Sequence, residues 1–164
     1  MAVPRVGVIT ALPTFRVLAS MNPFDNVGTA RISDSVYDRW CRLAVGYQDA
    51  ADEAAIVRVR TRSTDDELVD DAVALTRATR SHPELRRGSS VRGAIDMVAI
   101  AAELALLDSY HDRPRLVLDA ALLALSARIG LDEASEATPE SVITEIWENH
   151  FFSRPGVRRR DLAR

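Results

Sequence analysis

The sequence predicts a mainly α-helical protein, in which a short α/β segment precedes a helical bundle. From about residue 48 onwards, apolar residues recur at helical spacing behind residues that favour helix N-caps. Before that point, two short apolar runs alternate with loop-forming residues. We place the α/β segment at residues 1–47, the helical bundle at 48–152 and a loose basic tail at 153–164.

The first segment is predicted to run strand, loop, helix and strand. Residues 15–19 form a short apolar run typical of a buried strand, and residues 43–46 form a second. Between them, residues 22–32 carry the Asn-Pro, Asp-Asn and glycine signals of a loop, and Ser33 is placed to cap a short helix. Because two short strands and one helix do not make a stable sheet alone, we expect this segment to be the end of something larger.

Two helices open the predicted bundle. Asp49 is placed as the N-cap of the first. At the start of the second, Thr64 and Glu67 have the spacing of a capping box, in which each side chain satisfies a backbone donor of the other residue. The residues of the second helix that we expect to face the core are Leu68, Val69, Val73 and Leu75.

Three further helices complete the predicted bundle. One of the serines at 89–90 begins the first of them, and its stretch 97–107 is so uniformly apolar that we expect it at the buried centre. The next is expected over about 118–129, stopped by Gly130 in the left-handed conformation. An N-cap, a proline and an acid at 138–140 begin the last helix. Its expected inward residues are Val142, Ile143, Ile146 and Trp147.

The composition excludes several functions. All 21 basic residues are arginine, so the chain has no lysine for a Schiff base or for a P-loop, where lysine reaches the β- and γ-phosphates of a nucleotide. It also lacks an apolar strand that ends in the paired acids that hold Mg²⁺. The net charge of -3 argues against broad binding of nucleic acid, and no apolar run is long enough to span a membrane. The single cysteine, Cys41, excludes a disulfide scaffold and predicts a reduced, cytoplasmic protein.

Several motifs occur in a characteristic order. The run Phe15-Arg-Val-Leu-Ala-Ser-Met-Asn22-Pro23 is followed by Gly28-Thr29 and by Asp38-Arg39-Trp40, and Gly88-Ser89-Ser90-Val91-Arg92-Gly93-Ala94 comes later. This order and spacing resemble the C-terminal half of MoxR-type AAA+ ATPases, whose patterns are F-x-V-x-A-T-x-N-P, G-T, L-D-R-F and G-A-S-P-R-A. The resemblance covers roughly residues 10–130. The sequence departs from the patterns at Ser20 and Met21, at Trp40 in place of phenylalanine and at Val91 in place of proline, and it lacks Walker A and Walker B.

The resemblance implies a C-terminal remnant of an AAA+ α/β nucleotide-binding core, followed by the all-α helical lid bundle. The complete parent would use ATP and Mg²⁺, in a ring of subunits, for chaperone-like remodelling or maturation of a client. Its partners would be neighbouring AAA+ subunits or the missing N-terminal core, often with a protein that carries a von Willebrand factor A domain. Neither nucleic acid nor membrane is expected as a partner. Because the chain lacks the P-loop, we expect it to have no ATPase activity alone and to bind no cofactor tightly.

Three site residues follow from the resemblance. Asn22 corresponds to sensor 1, which would orient the attacking water beside the γ-phosphate, although an Asn-Pro pair is also an ordinary turn former. Arg39 would be the arginine finger that reaches a neighbouring subunit's site; Arg42 is a rival for this role, and a surface ion pair is the structural alternative. Arg92, in the first turn of a helix, would be sensor 2, facing a phosphate together with free backbone N–H groups, or else a solvated arginine.

No metal site and no cysteine nucleophile are expected. His82, His111 and His150 lie far apart in the sequence and lack neighbours at metal-ligand spacing. Cys41 has no histidine near it in the sequence, so we interpret it as a small packing residue.

Two other functions compete with the ATPase segment. The first is a non-enzymatic helical interaction module that docks on an ATPase or another protein. The second is a segment of another AAA+ branch, such as a helicase-like or transcription-activating motor. An upstream reading frame that encodes a lysine-bearing P-loop would distinguish an ATPase segment from an interaction module.

Overall fold

The computed structural model describes residues 2–3, 7–8, 10–20, 38–107 and 112–152. The chain separates into two compact units, Met1–Ala44 and Val45–Arg164. The predicted helix after Ser33, the predicted loop at 22–32 and the predicted tail at 153–164 lie largely or wholly outside the described residues.

The described part of the first unit contains one small hairpin. Strand β1 (Ala2–Val3) pairs with strand β2 (Gly7–Val8) in antiparallel register, Ala2 opposite Val8 and Val3 opposite Gly7. Residues 10–20 follow as irregular chain with a turn, in which the Phe15 N–H donates to the carbonyl of Leu12 at 2.9 Å. The sequence contained no strong signal for this hairpin, because its strands are only two residues long.

The two strands predicted from apolar runs are wrong. Residues 15–19 and 43–46 have no regular secondary structure, and Leu18 is 98% and Leu43 85% exposed. An apolar run becomes a strand only where its backbone N–H and C=O groups find a neighbouring strand and its side chains find a core. Neither run has such a neighbour within the described residues. Residues 38–40, at the end of the predicted first helix, form a turn and a bend instead.

The described part of the second unit consists of five helices and one pair of very short strands, which confirms the mainly helical fold class. The elements, in chain order, are α1 (Ala50–Thr61), α2 (Asp66–Ala78), β3 (Leu85–Arg87), α3 (Val91–Leu104), α4 (Arg113–Leu125), β4 (Gly130–Leu131) and α5 (Pro139–Phe152). Strands β3 and β4 pair in antiparallel register. None of the helices in the described ranges is long and apolar enough to cross a membrane.

Side chains cap the helices close to the predicted positions. Asp49 caps α1, as predicted, by accepting a hydrogen bond from the Asp52 N–H at 2.8 Å. The cap of α2 is Asp65 rather than Thr64: its carboxylate accepts from the Leu68 N–H at 2.8 Å. Because Thr64 and Asp65 are both good N-caps, the motif located the helix start but not the capping residue.

Helices α3 and α4 differ from the prediction at their ends. Helix α3 ends at Leu104, so residues 105–107 form an exposed turn instead of continuing the buried centre. Helix α4 begins five residues earlier than the predicted 118, at Arg113, because Asp112 accepts from the Arg115 N–H and caps it. Gly130 does not stop this helix in a left-handed conformation, since it lies in β4 opposite Arg87.

The core of the second unit lies around α3, which packs against α1, α2 and α4. The inward residues predicted for α2 and α5 are all buried. Helix α5 packs on α4 and α2, and the Trp147 indole N–H donates to the Pro114 carbonyl at 3.0 Å. Further buried residues that join the helices are Val57, Ala72, Met97, Val98, Val117, Ala121, Leu125 and Phe151.

A buried carboxylate joins α2 to α4 and α5. The side chain of Asp71 is 1% exposed, and its oxygens accept hydrogen bonds from Arg113 Nη2 at 3.2 Å and from His150 Nε2 at 2.8 Å. Arg113 also binds Asp65 at 3.2 Å. Burial alone would lower the pKa of Arg113, but the hydrogen bonds and charges of Asp65 and Asp71 outweigh it and raise that pKa above its usual value. The guanidinium thus remains the charged partner of Asp71.

Replacement of Asp71, compared with replacement of its exposed neighbour Asp70, tests how much this junction contributes to stability. We expect Asp71→Ala to lower the free energy of unfolding by about 3 kcal/mol, because two donors lose a buried acceptor. Asp70→Ala removes only an exposed pair with Arg58 and should cost about 0.5 kcal/mol or less. Urea unfolding followed by circular dichroism measures both, and equal losses for the two variants would contradict the role of Asp71.

Limited proteolysis tests the contrast between the two segments. Residues 10–20 and 38–49 are exposed throughout and irregular, so we expect trypsin to cut within residues 1–47, at Arg16, Arg39 or Arg42, before it cuts between 48 and 150. Mass spectrometry of early fragments identifies the sites. First cleavage inside α1 to α5, or equal resistance of both segments, would count against this prediction.

Candidate functional site

The turn before α3 is packed tightly against the end of α2. A Cβ atom at Gly88 would lie 2.6 Å from the Cα of Arg80 and 2.7 Å from the carbonyl oxygen of Thr79, so only glycine fits there without movement of the backbone. The next residue, Ser89, is buried, and its N–H donates to the Thr79 hydroxyl at 2.9 Å. That hydroxyl donates in turn to the Thr76 carbonyl at 2.6 Å.

The carbonyl of Ser89 is bound from the other side by Arg80. The Arg80 Nε–H donates to this oxygen at 2.8 Å, while Nη2 and Nη1 donate to the Glu53 carboxylate at 2.8 and 3.2 Å. Arg77 adds a further hydrogen bond to Glu53, at 3.0 Å. The Arg80 guanidinium also lies over the ring of Tyr47, 3.9 Å from its centre. A guanidinium held by a carboxylate, a carbonyl and an aromatic ring has little freedom to move.

Arg92 lies just beyond this anchored turn, in the first turn of α3, and its side chain is exposed. Ser90 occupies the N-cap position without a side-chain hydrogen bond to the helix, and the first turn contains no acidic residue. The start of a helix carries a partial positive charge and free N–H groups. Arg92 adds a full positive charge there, so this end of α3 can accept a phosphate or another anion.

Gly93 allows α3 to sit close to its surroundings. A Cβ atom at this position would lie 2.3 Å from the Ser89 hydroxyl and 2.6 Å from a methyl group of Leu125 in α4. The Gly93 N–H donates to the Ser90 carbonyl at 2.9 Å, which closes the first turn. The turn that carries Arg92 is therefore held by α2 on one side and by α4 on the other.

The other two predicted site residues lie elsewhere in the chain. Asn22 falls outside the described residues. Arg39 lies in an exposed turn of the first unit, and its rival Arg42 is exposed in the irregular chain that follows. The sensor 1 and arginine finger roles of Asn22 and Arg39 therefore remain predictions. Of the three predicted site residues, Arg92 is the one whose surroundings are described in detail above.

Sequence reasoning missed the residues that support Arg92. Glu53 belongs to a predicted helix, but its burial is not visible in a single sequence. The signal in the sequence was an acid between the apolar positions of α1, together with two arginines three positions apart: Arg77 in the last turn of α2 and Arg80 just after it. Buried acids in such a position need cationic partners.

The described histidines and the cysteine show no metal-site geometry. No group of three potential ligands comes together within the described ranges. His82 Nδ1 accepts from the Glu84 N–H at 3.3 Å, and its Nε2 lies 3.7 Å from the Glu145 carboxylate. His150 is paired with Asp71, as described above, and His111 lies outside the described residues. Cys41 is exposed, so the interpretation of Cys41 as a packing residue is wrong for the described structure.

Alanine at the two glycines tests the close packing of the turn. Gly88→Ala should lower the free energy of unfolding by about 1–3 kcal/mol, because the new methyl group meets backbone atoms that cannot rotate away. Gly93→Ala should act similarly through Leu125. Gly46→Ala is the matched control, since nothing lies within 4 Å of its Cβ position. Thermal unfolding compares the three, and a Gly88→Ala variant as stable as Gly46→Ala would contradict the close approach.

Comparison with known proteins shows a similarity to an ATPase. The chain is 30% identical over 125 residues to the gas vesicle ATPase GvpN of Ancylobacter aquaticus. The aligned region covers 76% of this chain and 34% of that protein. The chain thus spans about a third of the length of the curated relative that it matches. No protein-family model matches the chain, and no solved structure matches it. The similarity supports a relationship of this chain to a segment of an AAA+ ATPase.

Proposed function

We propose that this chain acts as the C-terminal segment of a MoxR-type AAA+ ATPase, with Arg92 as the sensor 2 residue that contacts nucleotide phosphate. The observation that carries the proposal is an exposed arginine at the acid-free, uncapped start of α3, on a turn anchored to buried residues. The similarity to an ATPase over 125 residues supports it. The phosphate-cradling lysine and the acids that hold Mg²⁺ would come from chain other than these 164 residues, which contain no lysine.

The three predicted residues would serve two nucleotide sites, the one that this chain helps to form and that of a neighbouring subunit. Arg92 would neutralise phosphate charge together with the first-turn N–H groups of α3. Asn22 would orient the attacking water, and Arg39 would act as the arginine finger in a neighbouring subunit's site. An arginine finger contributes about 10³- to 10⁵-fold in rate in other nucleotide hydrolases. These roles need ATP and Mg²⁺ in the complete assembly.

The assembly would be a ring of AAA+ subunits that remodels or matures a client complex. Its partners would include the missing nucleotide-binding core and a protein with a von Willebrand factor A domain. Because the similar protein is named a gas vesicle ATPase, gas vesicle components are the first clients to test.

Phosphate binding at Arg92 can be measured on the 164-residue chain. We expect inorganic tripolyphosphate to bind with millimolar affinity and to shift the backbone amide signals of Val91, Arg92 and Gly93 in nuclear magnetic resonance spectra. Arg92→Ala should weaken this binding about tenfold, which corresponds to about 1.4 kcal/mol. Arg60→Ala is the control, because Arg60 is an exposed arginine in α1, away from a helix start.

Two outcomes would contradict the proposal. Shifts that map away from the start of α3, or an affinity unchanged by Arg92→Ala, would remove Arg92 from the phosphate site. ATP turnover by the purified chain that is lost in Arg92→Ala would show that the chain does not depend on an external P-loop.

A non-enzymatic interaction module remains the competing function, and one observation favours it. A groove of about 480 Å³ lies between α3 and α4; its apolar part is formed by Ala99, Ile100 and the largely exposed Leu123, and the ion pair of Asp96 and Arg128 also lines it. Exposed apolar surface of this kind is found where proteins dock. The DNA upstream of this reading frame separates the two functions, since a lysine-bearing P-loop there favours the ATPase segment.

A further inference from the structure

We propose that Arg80 is the positioning residue for Arg92: it fixes the turn before α3 by linking the buried Glu53 carboxylate to the Ser89 carbonyl. The inference depends on the proposed function only in the identity of the ligand that Arg92 binds. That Arg80 holds the turn follows from the contacts themselves.

Arg80 is suited to this link because its guanidinium donates in two directions. Nη1 and Nη2 reach the two oxygens of Glu53, and Nε reaches the Ser89 oxygen. The side chain of Glu53 is 2% exposed and that of Arg80 12% exposed, so these hydrogen bonds are shielded from water. A lysine ammonium lacks this planar fork and cannot keep the same geometry to both partners.

Ser89 is bound at both of its backbone groups. Its N–H donates to the Thr79 hydroxyl and its C=O accepts from Arg80, so two consecutive residues that follow α2 hold the peptide groups on both sides of the Ser89 Cα. Ser89 precedes the N-cap Ser90 and lies three positions before Arg92. A rotation of the backbone at Ser89 would change the direction in which the first turn of α3, and Arg92 with it, leaves the bundle.

Arg77 is a natural control for Arg80. It also donates to Glu53, at 3.0 Å, but its other hydrogen bond goes to the carbonyl of Gln48, at 2.9 Å, and not to the turn before α3. Replacement of either arginine by lysine removes one guanidinium from the same buried carboxylate and keeps the positive charge. Only loss of Arg80 frees the Ser89 carbonyl.

The experiment compares Arg80→Lys and Arg77→Lys in the 164-residue chain by amide hydrogen exchange. We expect Arg80→Lys to speed exchange at the Ser89 and Gly93 amides about tenfold, the effect of losing one shielded hydrogen bond, with little change at Val98 in the core of α3. Arg77→Lys should leave the Ser89 and Gly93 amides unchanged. Equal exchange at these amides in the two variants would overturn the proposal.

A measurement on the unmodified chain covers the case in which Arg80→Lys does not fold. The Arg80 Nε–H signal should exchange slowly with solvent, because it is bonded to a buried carbonyl, whereas the Nε–H of the exposed Arg92 should exchange fast. Equally fast exchange of both would overturn the proposal.

Tripolyphosphate titration separates this inference from the proposed function. If the unmodified chain binds at α3, Arg80→Lys should weaken binding several-fold and Arg77→Lys should not; unchanged affinity in Arg80→Lys would count against positioning. If the unmodified chain does not bind at α3, the proposed function fails, while the exchange difference between the two variants still decides the role of Arg80.

Discussion

The contact between α1, the end of α2 and the turn before α3 depends on the buried carboxylate of Glu53. An acid shielded from water in this way is unstable unless cations and hydrogen bonds replace its hydration. Arg77, in the last turn of α2, and Arg80, in the turn that follows α2, provide both. The requirement to satisfy Glu53 therefore fixes how α1 and α2 meet. Because Arg80 also binds Ser89, the same requirement extends to the start of α3.

The use of arginine alone as the basic residue fits this architecture. Arg80 joins a carboxylate to a carbonyl, and Arg113 joins the carboxylates of Asp65 and Asp71. Each of these links uses N–H donors on separate nitrogens of one rigid, planar guanidinium, whereas the three donors of an ammonium all lie on a single nitrogen. The absence of lysine excludes a P-loop in this chain, and two of its arginines, Arg80 and Arg113, pair with the buried carboxylates of Glu53 and Asp71.

The helices could be predicted from the sequence because their signals are local. Asp49, the capping residues near 65 and the Thr138-Pro139 pair lie beside the helices that they begin, and apolar spacing identified the inward faces of α2 and α5. The strands at 15–19 and 43–46 failed because a strand depends on a neighbour that its own residues do not specify. The network around Glu53 was missed for a related reason, since its partners lie on other elements, 24 and 27 positions away.

An arginine that binds phosphate has two needs that oppose each other. It must be exposed to reach a ligand, yet an exposed, flexible side chain loses conformational entropy when it binds. The second unit separates these needs between neighbouring residues: Arg92 is exposed, whereas Ser89, three positions earlier, is buried and bound at both backbone groups. Fixing the backbone under Arg92 leaves only its side chain to be ordered by a ligand. A buried ion pair that makes no contact with the ligand can in this way influence how well the ligand is held.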